Sequence, residues 1–166
     1  MKILVAFYSL TGNTEKLAGS VAVAAGGDVL EIKLKKSLPT EGFFKYFWAG
    51  KQAVIRELPE LLPLDKKPSN YDLIFLGTPV WGSNFSSAIR SFLAKTKLRN
   101  KKIALFCSHG GDDSGKTFIE LEKELAGSEI VAKIDFKMDD IPEAELAQNL
   151  EYIRNWTQDT IKKLAH

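Results

Sequence analysis

A neutral set of hydrogen-bond donors follows the first apolar run of the chain. Ser9-Leu10-Thr11-Gly12-Asn13-Thr14 offers three hydroxyls, one side-chain amide and a glycine within six residues. Behind it comes a stretch with Leu17, Val21 and Ala24 on one helical face. A helix beginning here presents unpaired N–H groups and a partial positive charge, and Gly12 lets the backbone come close to a ligand. The segment therefore reads as an anion cradle. It contains no Lys or Arg. Such a cradle suits a phosphate monoester held by many donors, whereas sites that transfer phosphoryl groups usually supply a cation and a metal. An ordinary Ser/Thr/Asn helix cap is the plainer reading of the same residues.

Two further segments carry candidate chemistry. Gly77-Thr78-Pro79-Val80-Trp81-Gly82-Ser83-Asn84 places a large aromatic after a later apolar run. An exposed Trp81 would stack on a flat heterocycle beside the permissive Gly82; the alternative is a Trp81 folded back as a lid on the core. The third segment is Cys107-Ser108-His109-Gly110-Gly111-Asp112-Asp113. There the plainer readings are a solvated side chain for His109 and an acidic helix cap for Asp112 or Asp113. Gly110 to Thr117 also spells a P-loop, G-x-x-x-x-G-K-T. Paired carboxylates inside a loop meant for triphosphate would repel it, and no nearby apolar strand ends in a magnesium-binding Asp. Ser114 to Thr117 is accordingly read as a helix start.

The elements that must position these loops alternate along the chain. Strands are expected at Ile3 to Tyr8, Asp28 to Leu34, Leu73 to Gly77, Ile103 to Cys107 and Ile130 to Phe136, and nearly continuous apolar runs suit a parallel sheet buried on both faces. Helices are expected over residues 13 to 25, 41 to 57, 85 to 97, 115 to 126 and 143 to 164, the last with Asp140 and Glu143 as a capping pair around Pro142. Its Trp156 is read as core. This pattern implies an α/β, three-layer doubly wound sandwich with a five-stranded parallel sheet of order 2-1-3-4-5, as one domain over residues 1 to 166. In such sheets a ligand lies beyond the carboxyl ends of the strands where the winding reverses, which selects these three loops.

Composition narrows the classes. With 23 basic and 21 acidic residues the net charge is only +2, and the lysines are scattered, so a nucleic-acid partner is not expected. No uncharged apolar stretch is long enough for a bilayer and no cleavage site follows Lys2, so a cytoplasmic protein without membrane insertion is expected. The single cysteine, Cys107, cannot form an internal disulfide or a multi-cysteine metal site, and no metal is expected.

Ser9-x-Thr11-Gly12-Asn13-Thr14 after an N-terminal strand, with Gly77-Thr78-Pro79-Val80-Trp81 after the third, resembles the flavodoxin family from Met1 to about Leu125. The resemblance implies FMN as cofactor. It implies that Ser9, Thr11, Gly12, Asn13 and Thr14 hold the phosphate, that Thr78 and Pro79 follow the ribityl chain, and that Trp81 stacks on the isoalloxazine. Val80 and Gly82 would line the same loop, with the Trp81-Gly82 peptide beside flavin N5. Cys107, Ser108, His109, Gly110 and Gly111 would form the second flavin-contacting loop, which in this chain lacks the Tyr or Trp often found there. The resemblance implies either that His109 stacks or hydrogen-bonds to the ring or that the backbone of Ser108 to Gly111 covers it, with Asp112 or Asp113 repelling the hydroquinone anion.

The implied activity is electron transfer, with FMN cycling between oxidised, semiquinone and hydroquinone states, no catalytic residue, and redox proteins as partners. The alternative is a small FMN-dependent NAD(P)H oxidoreductase acting on a quinone or nitro compound; the lack of a GxGxxG fingerprint weakly favours the carrier. A third class is an interaction module with a vestigial flavin site. Two departures stand out: a near-neutral charge where shuttle flavodoxins are strongly acidic, and an aromatic crossover, Phe43-Phe44-x-Tyr46-Phe47-Trp48. That cluster either packs on the sheet or forms a wall for a small planar substrate.

Overall fold

The structure is a computed structural model that describes residues 1–38 and 58–165. The helix expected over residues 41 to 57, with its aromatic cluster, lies outside the described residues. In chain order the elements are β1 (Ile3–Phe7), α1 (Asn13–Ala25), β2 (Asp28–Glu31), β3 (Leu73–Trp81), β4 (Asn84–Phe85), α2 (Ser87–Thr96), β5 (Lys102–His109), α3 (Thr117–Glu124), β6 (Glu129–Lys137) and α4 (Glu143–Leu164), with a 3-10 turn at Pro68–Asn70.

The apolar strands pair side by side. The sheet runs β2-β1-β3-β5-β6, all parallel, and the short β4 pairs antiparallel with β3. Apart from β4, this is the expected strand order. Alternate residues of β1 enter opposite cores: Leu4 and Ala6 join Ile89, Phe92 and Leu121 of α2 and α3, while Val5 and Phe7 join Leu17, Val21 and Ile153 of α1 and α4. The central strands are therefore apolar at successive positions because both faces are covered. Trp156 packs edge-on to Phe75, with centroids 5.7 Å apart, in the second of these cores.

Local differences from the expected bounds have local causes. β3 does not stop at Gly77 but continues to Trp81, and Gly82 and Ser83, at φ 54° and 62°, turn it back into β4. Two successive positive φ values are what a tight two-residue hairpin requires. Strand β2 ends at Glu31, and Leu34 instead bridges antiparallel to Leu61. At the start of α2, Ser86 caps the helix by accepting from the Ile89 N–H. Pro142 occupies the cap of α4 and no side-chain cap forms, so the expected Asp140–Glu143 pair is absent; Asp140 stands in the preceding turn at φ 54°. No helix among the described residues is long and apolar enough to cross a membrane.

Candidate functional site

The carboxyl ends of β1, β3 and β5 converge on one edge of the sheet. Thr78 is in register with Cys107 and Pro79 with Ser108, and the Tyr8 N–H donates to the Gly77 carbonyl at 3.2 Å. Sheet pairing thus brings together three segments that lie far apart in sequence.

The first loop folds into α1 through Gly12, at φ 94°. A Cβ there would meet nothing within 4 Å, so the backbone angle rather than crowding makes glycine suitable. Gly12 occupies the N-cap and no side chain caps the helix. The first-turn N–H groups thus retain donor capacity for a ligand. Ser9 Oγ accepts from the Gly12 N–H at 3.1 Å, which curls the loop and leaves the Ser9 hydroxyl hydrogen to donate elsewhere. Thr14 is buried, its hydroxyl 2.8 Å from that of Ser108. The Asn13 amide donates to Asp139 Oδ1, and Thr11 is exposed. A helix start without a side-chain cap and lined by hydroxyls fits the phosphate of a monoester such as FMN.

The second segment departs from expectation. Trp81 is only 6% exposed and meets Tyr8 edge-on, with ring centroids 5.6 Å apart and an interplanar angle of 87°. Of the two readings of this residue, the structure takes the lid on the core. The hairpin is the cause: by folding β4 back on β3, it draws Trp81 into the cluster that contains Tyr8 and Phe85. Thr78 is fully buried as well; its hydroxyl donates to the Pro79 carbonyl at 2.9 Å and accepts from the Ser86 N–H at 3.1 Å. That side chain is engaged within the hairpin, so only its backbone is available to a ligand. Pro79 and Val80 are half-buried and Gly82 is exposed.

The third segment lies on β5 and the loop after it. Cys107 is fully buried, and burial, followed by the nearby Asp135, pushes its thiol pKa well up. Any contact it makes with a ligand is through the backbone. His109 is neither solvated nor open to stacking. It is 7% exposed, with Nδ1 3.1 Å from the Gly111 carbonyl and Nε2 3.0 Å from Asp135 Oδ2. Since the carbonyl can only accept, Nδ1–H donates to it and holds the loop in a tight return. Ser108 is buried, while Gly110 and Gly111 are exposed. Farther along, Gly115 at φ 56° lies so close to the hairpin turn that an added Cβ would stand 2.8 Å from the Ser83 Cβ. The Lys116 N–H donates to the Ser83 carbonyl at 2.7 Å, and α3 begins at Thr117.

Sequence reasoning did not single out Tyr8, Ser83 or Asp139. Tyr8 closes the first apolar run and is a recognisable candidate in retrospect. Asp139 had no local signal, because Asn13 stands 126 positions away. Among the described residues, no group of three or more His, Cys, Asp and Glu side chains is placed to hold a metal ion.

Residues 2–153 match the family model described as flavodoxin, and the chain belongs to the flavodoxin family. Among solved structures, a flavoprotein from Lactobacillus acidophilus in complex with FMN is 24% identical, covering 81% of this chain and 92% of its own, with a TM-score of 0.70. A flavoprotein from Bacteroides uniformis is 21% identical with a TM-score of 0.75, covering 93% of this chain and 96% of its own. Oxidised Flavodoxin 2 from Bacillus cereus is 20% identical, with a TM-score of 0.59 and coverage of 98% and 99%. These likenesses are likenesses of fold.

Proposed function

We propose that the chain binds FMN at the carboxyl edge of its sheet and serves as an electron-transfer protein. The observation that carries this reading is the open helix start: Gly12 caps α1 without a side-chain cap, beside the hydroxyls of Ser9 and Thr11. Membership of the flavodoxin family supports it, as does the complex with FMN of the Lactobacillus acidophilus neighbour.

In this reading Ser9 and Thr11 hold the phosphate through their hydroxyls, Asn13 through its amide, and Gly12 and Thr14 through backbone N–H groups, the Thr14 hydroxyl being engaged by Ser108. Thr78 contributes through its backbone, since its hydroxyl is engaged by Pro79 and Ser86. Pro79, Val80 and Gly82 line one side, and Ser108, Gly110 and Gly111 the other. Trp81 and His109 act from behind this surface. Trp81 seals the core over Tyr8, and His109 fixes the Gly111 carbonyl. FMN supplies reversible acceptance of one or two electrons when bound. The protein's part is to anchor its phosphate, exclude water and limit how the surrounding peptides move.

A redox protein is the proposed partner, met on a surface without strong net charge, so association should depend only weakly on ionic strength. Anaerobic stepwise reduction of the FMN-loaded protein tests the carrier role. Two resolved one-electron stages in the visible spectrum are expected. A single two-electron transition, accompanied by rapid oxidation of NAD(P)H, would instead assign the chain to the FMN-dependent oxidoreductases.

A further inference from the structure

Three separate segments meet at Asp139, in the turn after β6. The Asn13 side-chain amide donates to its Oδ1, joining it to the first residue of α1. On its other side stands Gly110, in the loop after β5, where an added Cβ would lie 2.5 Å from Asp139 Oδ2 and 3.2 Å from both its Cβ and Cγ. The turn itself is tied to β5, since the Met138 N–H donates to the His109 carbonyl at 2.9 Å. Asp139 is half-buried. Its carboxylate therefore has a fixed seat between the two loops, available because Gly110 has no side chain.

This placement is unusual for an acid. A carboxylate beside an anion cradle repels the anion it is meant to receive, and that repulsion must be outweighed by something the same group provides. A hydrogen bond from an amide to a carboxylate is charge-assisted and strongly directional. It orients the Asn13 side chain, which otherwise rotates freely at an uncapped helix start.

We propose that Asp139 is the positioning residue for the phosphate end of the site, holding Asn13 and the Gly110 loop in the arrangement that receives a phosphate monoester. The proposal rests on the FMN reading above. Asp139 itself touches neither phosphate nor flavin ring in this account. Its effect passes through Asn13.

The test compares binding of FMN and riboflavin, which differ only in the phosphate, by equilibrium titration of purified protein. Asp139→Ala is expected to weaken FMN about tenfold while leaving riboflavin within about twofold, the scale of one lost charge-assisted hydrogen bond. Asp139→Asn keeps an acceptor oxygen for Asn13 and is expected to restore most of the FMN affinity. Gly110→Ala, which displaces the carboxylate without removing it, should reproduce part of the loss. In an Asn13→Ala background, Asp139→Ala should have no further effect on the FMN to riboflavin ratio, because the two act as one unit.

Equal losses for both flavins, full FMN affinity in Asp139→Ala, or an Asp139→Asn variant as weak as Asp139→Ala would overturn the proposal. If Asp139→Ala does not fold, the Gly110→Ala and Asp139→Asn ratios decide it by the same criteria. A wild-type protein that binds neither flavin, or both equally, would reject the FMN reading itself and the proposal with it.

Discussion

The hydroxyls of Thr14 and Ser108 lie 2.8 Å apart, joining the first turn of α1 to the end of β5 across 94 positions of sequence. Both side chains are buried, so neither has water as an easy substitute. The contact ties the phosphate cradle to the middle of the sheet.

Thr14→Ala should therefore destabilise the protein even without a ligand. Leaving the Ser108 hydroxyl buried and unpaired costs about 1–3 kcal/mol, whereas Thr14→Ser keeps the bond and costs less. Urea unfolding of the ligand-free variants measures the difference. Equal midpoints for wild type and Thr14→Ala would show that the contact contributes nothing.

Gly77 carries a different constraint. A Cβ at this position would stand 2.3 Å from the tip of the Phe106 ring, and Phe106 is fully buried in the sheet's interior. Gly77→Ala is expected to cost about 1–3 kcal/mol by overpacking. Phe106→Leu in the same chain should recover part of that loss. A double variant less stable than the sum of the two single effects would contradict the steric account.

Trp81 is a core residue in this structure, with its edge-to-face partner Tyr8. Trp81→Ala should lower unfolding stability by about 3–5 kcal/mol, with Trp81→Phe well short of that. Thermal unfolding of the ligand-free protein distinguishes the two. A loss confined to flavin affinity, with stability intact, would instead mark Trp81 as a surface platform.

Burial raises the Tyr8 pKa above its ordinary value, and the hydrogen bond to Asp28 raises that of Tyr71. An unfolded tyrosine titrates near about pH 10. Above that pH the unfolded chain releases a proton that folded Tyr8 retains, so the stability present at lower pH is lost progressively as pH rises. Tyr8→Phe should flatten this alkaline loss and leave the remaining slope to Tyr71 and the buried Cys107 thiol. An unchanged slope between about pH 10 and 12 would show that Tyr8 does not contribute to it.

Much of this architecture was legible because the relevant forces are local. The 3.6-residue apolar spacing gave α1 and α4 at the bounds found, and unbroken apolar runs marked the buried parallel strands. The third strand was misjudged for an identifiable reason. β3 accepts Pro79 near its end, where a proline is tolerated, and the positive-φ pair Gly82-Ser83 turns the chain only after Trp81. The choice between a flavin contact and a solvated side chain for His109 missed its pairing because its partner Asp135 lies 26 positions away on β6. Asp139 was invisible for the same kind of reason. Pairings across the sheet depend on register, which short-range patterns do not encode.

Titration of the purified protein with FMN, followed by the change in flavin fluorescence and repeated with riboflavin, tests the central claim most directly. One FMN per chain, bound at least tenfold more tightly than riboflavin, is the result expected of a site anchored on the phosphate by several hydrogen bonds of about 1 kcal/mol each. Equal affinities, or no saturable binding of FMN, would contradict the assignment of Ser9 to Thr14 as the phosphate cradle.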